Sequence, residues 1–206
     1  MVTVSNADKD KHFKESNNPN ILRCKCVVLG DSSVGKTSMI HIFNNDSSTF
    51  QKNYTMTCGI ELTVKSVRVP DTNDLVELYI YDSSGKEIYI DMMQTLWKNP
   101  SVLVLVFDVT NEISFNSCSK WLKKFHSATS SKANAIPGIL IGNKVDSKER
   151  RIISSKTAQD FAKKYSLQYF ECSVKEHQGV DEAFFYLVNE WHKLFQEKTE
   201  FFKTVS

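Results

Sequence analysis

The sequence predicts an α/β domain with a mostly parallel sheet and helices on both faces. Three observations predict it. Apolar stretches of strand length alternate with helix-periodic segments from about residue 22 to 198. The run Val102-Leu103-Val104-Leu105-Val106-Phe107 is apolar throughout, as a parallel strand buried on both faces must be. Gly30-Asp31-Ser32-Ser33-Val34-Gly35-Lys36-Thr37 directly follows the short apolar run Cys26–Leu29. It has the spacing G-x-x-x-x-G-K-[ST] of a phosphate-binding P-loop between a strand and a helix, and it points to a P-loop NTPase. Ligands of such sheets sit at the carboxyl ends of the strands.

Composition narrows the function classes. With 206 residues and 41% apolar content, the chain can bury one substantial core. A formal net charge of +2, without a polybasic tract, does not indicate nucleic acid. The longest apolar run is too short to span a bilayer, and the polar N-terminus is not expected to act as a signal peptide. An odd count of five cysteines then fits free thiols in a reducing compartment. Cys24 and Cys26 share one face of a strand, where small buried residues are a simpler reading than metal ligands. The five histidines (His12, His41, His126, His177, His192) show no ligand spacing and are expected at the surface.

Residues 1–20, rich in Ser, Asn, Asp and Lys, read as a mobile tail, 21–198 as the folded domain and 199–206 as a C-terminal tail. A strand is expected at 22–29. A helix should run over 36–44, with Met39, Ile40, Ile42 and Phe43 inward. Residues 45–58 lack periodicity and read as a loop. Strands at 59–69 and 75–82 flank Pro70-Asp71-Thr72-Asn73-Asp74, whose turn chemistry predicts an antiparallel hairpin. Further strands fall near 101–108, 137–143 and 168–172, with helices near 114–127, 154–165 and 179–198. Phe115, Cys118, Leu122 and Phe125 share one helical face; Phe184, Leu187, Val188, Trp191 and Phe195 share another.

Four motifs carry the chemistry. In the P-loop, backbone N–H groups of Asp31, Ser32, Ser33, Val34, Gly35, Lys36, Thr37 and Ser38 can wrap a phosphate at a helix N-terminus. Lys36 can reach the β- and γ-phosphates, and the Thr37 hydroxyl can ligate Mg²⁺. Asp82-Ser83-Ser84-Gly85 closes the strand Leu78–Tyr81. Asp82 can hold the magnesium, and Gly85 N–H can meet the γ-phosphate. Asn143-Lys144-Val145-Asp146 closes a third apolar strand. The Asp146 carboxylate matches the N1–H and N2–H₂ donors of guanine, a pair that adenine lacks. Asn143 can bond the base N7 and brace neighbouring loops, and the Lys144 stem can lie along the base. At Cys172-Ser173-Val174-Lys175, a backbone N–H can bond guanine O6 and Lys175 can cover the ring. A threonine ending the 45–58 loop could complete the magnesium shell; Thr57 is best placed and Thr55 competes.

These motifs, in this order and each at a strand end, resemble those of the Ras superfamily of small GTPases over about residues 22–198. The resemblance implies a six-stranded sheet with five helices, bound GTP or GDP with Mg²⁺, and catalytic roles for Lys36, Thr57, Gly85 and the residue after it. It implies switch loops ending at Thr57 and following Gly85, ordered by the γ-phosphate and released on hydrolysis. A different P-loop kinase or ATPase would have no use for Asn143 and Asp146.

Two departures from the family pattern bear on function. Lys86 follows Gly85 where the family usually has Gln. An ammonium donates hydrogen bonds but cannot accept the proton of attacking water, so slow hydrolysis is expected; the alternative is that Lys86 is simply exposed and another residue places the water. No cysteine follows Cys172, so a prenyl anchor is not expected, and a membrane link would come through a partner. Further stretches (Phe50–Thr57, Val69–Thr72, Asp82–Glu87, Asp108–Glu112, Cys118–Leu122) are similar to the Rab-like GTPases of intraflagellar transport. That similarity implies a subunit of the ciliary transport B complex, at the ciliary base and in the cilium. It implies pairing with a small β-sandwich subunit, intraflagellar transport protein 25, and docking on a coiled-coil core. Apolar groups on the segment 89–97 read either as packing within the domain or as an interface, and Phe195, Phe201 and Phe202 are candidate interface residues.

Overall fold

The computed structural model describes residues 18–44, 56–129 and 136–205. In chain order the elements are β1 (Asn20–Leu29), α1 (Lys36–Asn44), β2 (Ile60–Arg68), β3 (Asp74–Ser83), α2 (Ile90–Leu96), β4 (Val102–Asp108), α3 (Glu112–Ala128), β5 (Gly138–Asn143), α4 (Ser155–Lys164), β6 (Gln168–Cys172) and α5 (Val180–Val205). The described residues form a six-stranded sheet in the order β2-β3-β1-β4-β5-β6. All neighbours are parallel except β2 and β3, the antiparallel hairpin expected from the turn at 70–74. In that turn the Thr72 hydroxyl donates to Val69 O at 3.0 Å and accepts from Asp74 N at 3.1 Å, while Asp71 takes a left-handed φ of 59°. This is the α/β fold expected of the P-loop.

Strand pleating splits the core in two. Val102, Val104 and Val106 of β4 face α1 and α5, while Leu103, Leu105 and Phe107 face α2, α3 and α4. On the first face Phe43 of α1 stacks on Phe184 of α5, with ring centroids 4.3 Å apart. Cys24 and Cys26 are buried in that layer, and burial pushes both thiols up, away from the reactive thiolate. On the second face Phe115, Cys118, Trp121, Leu122 and Phe125 of α3 are all buried. Burying each large side chain contributes about 1.5–3 kcal/mol, so the two layers are the main stabilising term. No helix among the described residues is long and apolar enough to cross a membrane.

Two expectations need correction. His192 is not a surface residue: it is 3% exposed, with its Nε2 2.7 Å from Asp74 Oδ2. That contact, with Asn20 Nδ2 donating to Asp74 Oδ1 at 3.0 Å, ties α5 and the start of β1 to the hairpin. The His192 bond foremost, with the Asn20 bond, holds the Asp74 carboxyl below its usual range. His41, His126 and His177 are exposed, and His12 lies outside the described residues. The last helix continues to Val205, past the end near 198 that the sequence suggested. The segment has no Gly or Pro to stop it, and Thr199 Oγ1 donates back to Phe195 O at 2.8 Å. The proposed N-terminal tail lies largely outside the described residues, as does most of the 45–58 loop with Thr55.

The strand ends are aligned. Val28 pairs with Asp82, Asp108 with Asn143, and Asn143 with Cys172. This brings the four sequence motifs to one edge of the sheet. Just behind that edge, Glu171 of β6 is clamped. Arg151 Nη1 donates to Glu171 Oε2 at 3.0 Å, and the Ser155 and Tyr169 hydroxyls donate to Oε1 at 2.6 and 2.9 Å. The Arg151 guanidinium is the chief cause that pulls the Glu171 carboxyl down to about 2. A depressed carboxyl adds stability that is complete above its unfolded value near 4.5 and is lost as pH falls through the folded value. We therefore expect Glu171→Gln to lose about 1 kcal/mol near neutral pH, after allowance for solvent screening. Its stability should fall less steeply than the wild type's between about pH 5 and pH 2, as read by urea unfolding across pH.

Candidate functional site

The P-loop leaves β1 through Gly30, whose φ of +142° and crowding against Val106 O leave no room for a side chain: a Cβ would lie 2.2 Å from that oxygen. The loop then curls so that its lysine folds back on it. Lys36 is 6% exposed, and its ammonium donates to Gly30 O at 2.9 Å and Asp31 O at 2.8 Å. Burial pushes this ammonium down to about 8, against the opposing charges of Asp82 and Asp31. An arriving phosphate would offset that desolvation with its negative charge.

Beside it, three oxygen-bearing side chains from separate elements converge. Thr37 Oγ1 donates to Asp82 Oδ2 at 2.5 Å and lies 2.9 Å from Thr57 Oγ1, which is itself 3.4 Å from Asp82 Oδ2. Asp82 is 1% exposed, and among the described residues its Oδ1 is buried without a hydrogen-bond partner. Burial raises the Asp82 carboxyl, opposed by Thr37 and Lys36. A buried carboxylate oxygen with an open valence, next to two hydroxyls, suits a hard divalent cation such as magnesium. The expected trio Thr37, Thr57 and Asp82 is thus brought together. Thr57 is held there partly because Ser84 N donates to Gly59 O at 2.7 Å, tying the loop end to β3.

Gly85 sits against the P-loop. A Cβ there would lie 2.1 Å from Ser32 N and 2.3 Å from Asp31 C, so only glycine allows this approach. Lys86 is exposed, its N donates to Ser84 Oγ at 3.3 Å, and among the described residues no hydrogen bond or ion pair holds its ammonium. Of the remaining P-loop residues, Ser33 adopts φ 65°, Val34 is buried and Ser38 lies half-buried in the first turn of α1.

The other end of the site is organised by Asn143. Its Nδ2 donates to Val34 O at 2.8 Å, and its Oδ1 accepts from Lys144 N at 2.7 Å and Val174 N at 3.2 Å. Asn143 therefore braces neighbouring loops, as the sequence suggested it could. Lys144, at φ 69°, reaches Ser33 O at 2.8 Å and Asp108 Oδ2 at 2.7 Å. Burial pushes the Asp108 carboxyl up, but the Lys144 and Thr110 hydrogen bonds outweigh it and hold it low. Asp146 Oδ1 accepts from Ser173 Oγ at 2.9 Å, and Lys175 Nζ lies 3.7 Å from its Oδ2. Each carboxylate oxygen can accept more than one bond, so Asp146 keeps capacity for donors on a base edge. The 173–175 loop is closed by the Ser173–Gln178 bridge.

Several residues around the site were given no role there from the sequence. Asp108 ends an apolar strand, as Asp82 and Asn143 do, and that position was the available signal. Trp97 donates its indole N–H to Ser83 Oγ at 2.9 Å, and Trp121 donates to Asp31 Oδ1 at 2.7 Å. The Asp31 side chain therefore points to α3, and only its backbone borders the cradle.

A model of the Ras family matches residues 25–193. The intraflagellar transport protein 27 homologue of Bos taurus is 47% identical over 184 residues, covering 89% of this chain and 98% of that protein. Intraflagellar transport protein 27 of Chlamydomonas reinhardtii is 32% identical over 184 residues, covering 88% of this chain and 90% of that protein. Ras-related protein Rab-11B of Dictyostelium discoideum is 34% identical over 178 residues, covering 85% of this chain and 77% of that protein.

Two substitutions separate the ends of the site. Asp146→Ala should lower guanine-nucleotide affinity at least about a hundredfold, read by titration with a fluorescent GDP; unchanged affinity would remove Asp146 from the base site. Thr37→Asn should weaken GTP and magnesium binding together, and unaltered nucleotide content after purification would count against the Thr37 assignment.

Proposed function

Because this chain belongs to the Ras family of small GTPases, we propose that it is a GTP-binding subunit of the intraflagellar transport B complex that hydrolyses GTP slowly in ciliary transport. The observation that carries this reading is the 47% identity, spread over 89% of the chain, to a protein named for intraflagellar transport.

The chain's own residues fit the chemistry. Main-chain N–H groups of the P-loop and the Lys36 ammonium would hold the phosphates. Thr37, Thr57 and Asp82 would hold magnesium, which when bound neutralises charge on the β- and γ-phosphate oxygens. Asp146 would select guanine, with Asn143 fixing the loops on either side. Thr57 and Gly85 would border the γ-phosphate from two segments, so ordering them on GTP and releasing them afterwards would give a switch. Lys86 would stand where a water-positioning group is needed, and an ammonium has no acceptor for the water proton. That supports slow turnover and long-lived GTP.

The same residue favours a second reading, a nucleotide-loaded adaptor without a switching role. The two part on differential affinity: equal partner binding in GDP and GTP would defeat the switch. For partners, we propose heterodimer formation with the small β-sandwich subunit, intraflagellar transport protein 25, and docking on the coiled-coil core. The exposed Phe195, Phe201 and Phe202 at the end of α5 support a partner there. On α2 and just beyond it, Met93 and Trp97 are buried in this domain, leaving Met92 and Leu96 exposed. A pull-down from ciliated cells, with GDP- and GTP-loaded protein side by side, tests membership and switching together. Recovery of no transport subunit would sink the transport role.

The hydrolysis proposal has its own test. Single-turnover measurements should find wild type slower than a Gln-bearing Rab, and Lys86→Gln should raise the intrinsic rate at least about tenfold. A wild-type rate equal to the Rab's would remove Lys86 from the explanation.

A further inference from the structure

Asp31 places a negative charge in a loop built to receive phosphates. We propose that Trp121 is a positioning residue that holds the Asp31 carboxylate out of the phosphate cradle; this rests on the nucleotide-binding reading above. The Trp121 indole N–H donates to Asp31 Oδ1 at 2.7 Å, and Trp121 is 3% exposed. A bond between an N–H and a charged oxygen, away from water, is stronger than a neutral one.

The direction of the pull matters. Asp31 stands between β1 and α1, yet α1 packs on one face of the sheet and α3 on the other. The main chain of Asp31 stays with the cradle: its carbonyl accepts from Lys36 Nζ at 2.8 Å, and Gly85 lies against it. Its side chain crosses to the α3 face. There it lies near the buried Cys118 thiol, which burial chiefly, and the Asp31 charge as well, keep protonated.

Trp121 is itself held. It meets Trp97 edge to face, with ring centroids 6.4 Å apart at 70°. Trp97 in turn donates to Ser83 Oγ at 2.9 Å, and Ser83 follows Asp82. The paired indoles therefore tie α2 and α3 to the P-loop on one side and to the metal-site strand on the other. The Lys124 ammonium lies 5.7 Å from the Trp121 ring centroid and pairs with Glu87 at 2.8 Å, within the segment after Gly85. Without the indole N–H, the carboxylate is free to turn towards the phosphates, and like charges in a partly dry site repel.

The test measures GDP and GTP dissociation constants of the full chain for wild type, Trp121→Phe and the double variant Trp121→Phe/Asp31→Ala. Loss of the N–H should weaken both nucleotides about three- to tenfold, and removing the carboxylate should restore most of that loss. A merely structural tryptophan would give a double variant as weak as Trp121→Phe alone, which overturns the proposal. So would Trp121→Phe binding as wild type does. A benzothienyl-alanine at position 121 keeps the ring volume without the N–H, and it must reproduce the loss if Trp121→Phe fails to fold. Wild-type protein that binds no guanine nucleotide would sink the parent reading; wild type that binds, beside an unaffected variant, sinks only this one.

Discussion

Three chain segments that share no strand or helix meet at the Asn143 carboxamide. Its amide donates to the P-loop carbonyl of Val34, and its oxygen receives the N–H of Lys144 and of Val174. The group is 1% exposed, so each of these bonds forms away from competing water. The contact is tight enough to dictate a neighbour: a Cβ at Gly35 would lie 2.3 Å from the amide nitrogen. The P-loop and the loops after β5 and β6 are thereby fixed relative to each other by one side chain at the end of β5. Replacing it would orphan a buried carbonyl and two backbone donors together.

The Asp82 end of the site follows a different physical rule. Asp82 is buried, raised by that burial, and only half satisfied. Such a group is costly in the folded chain by itself. The cost becomes intelligible if a cation offsets it, with Thr37 from α1 and Thr57 from the loop before β2 as the other oxygens. Thr57 reaches this carboxylate from the stretch just before β2, so an occupant of this end would hold residues 56–59 against the end of β3.

Helices α2 and α3 do more than cover the sheet. Trp97 and Trp121 fill the second core layer and also send an N–H to each side of the site. Lys124 on the same helix pairs with Glu87 beyond Gly85. The segment after Gly85 is thus connected to α3, so a change in its order would be felt by a helix that also contacts the P-loop.

The alternation of strands and helices, the P-loop and the hairpin turn were legible in the residues, because each is a local pattern: a period, a glycine spacing, a turn dipeptide. So was the placing of Lys36 and Thr37 at the start of the helix after the P-loop, and of Asp82, Asn143 and Asp146 at or just past strand ends, where the fold class places ligands. The burial of His192 was not legible, since its partner Asp74 lies 118 residues away in the chain. Nor was the role of Trp121, 90 residues from Asp31, whose apolar ring reads as core and whose single N–H carries no periodic signal. The extension of α5 to Val205 escaped because helix formers without a stop signal look alike inside and outside a domain. Sequence by itself determined the chemistry available at each strand end. Only tertiary structure decided which of those groups meet, because contacts between distant segments are set by strand register and packing.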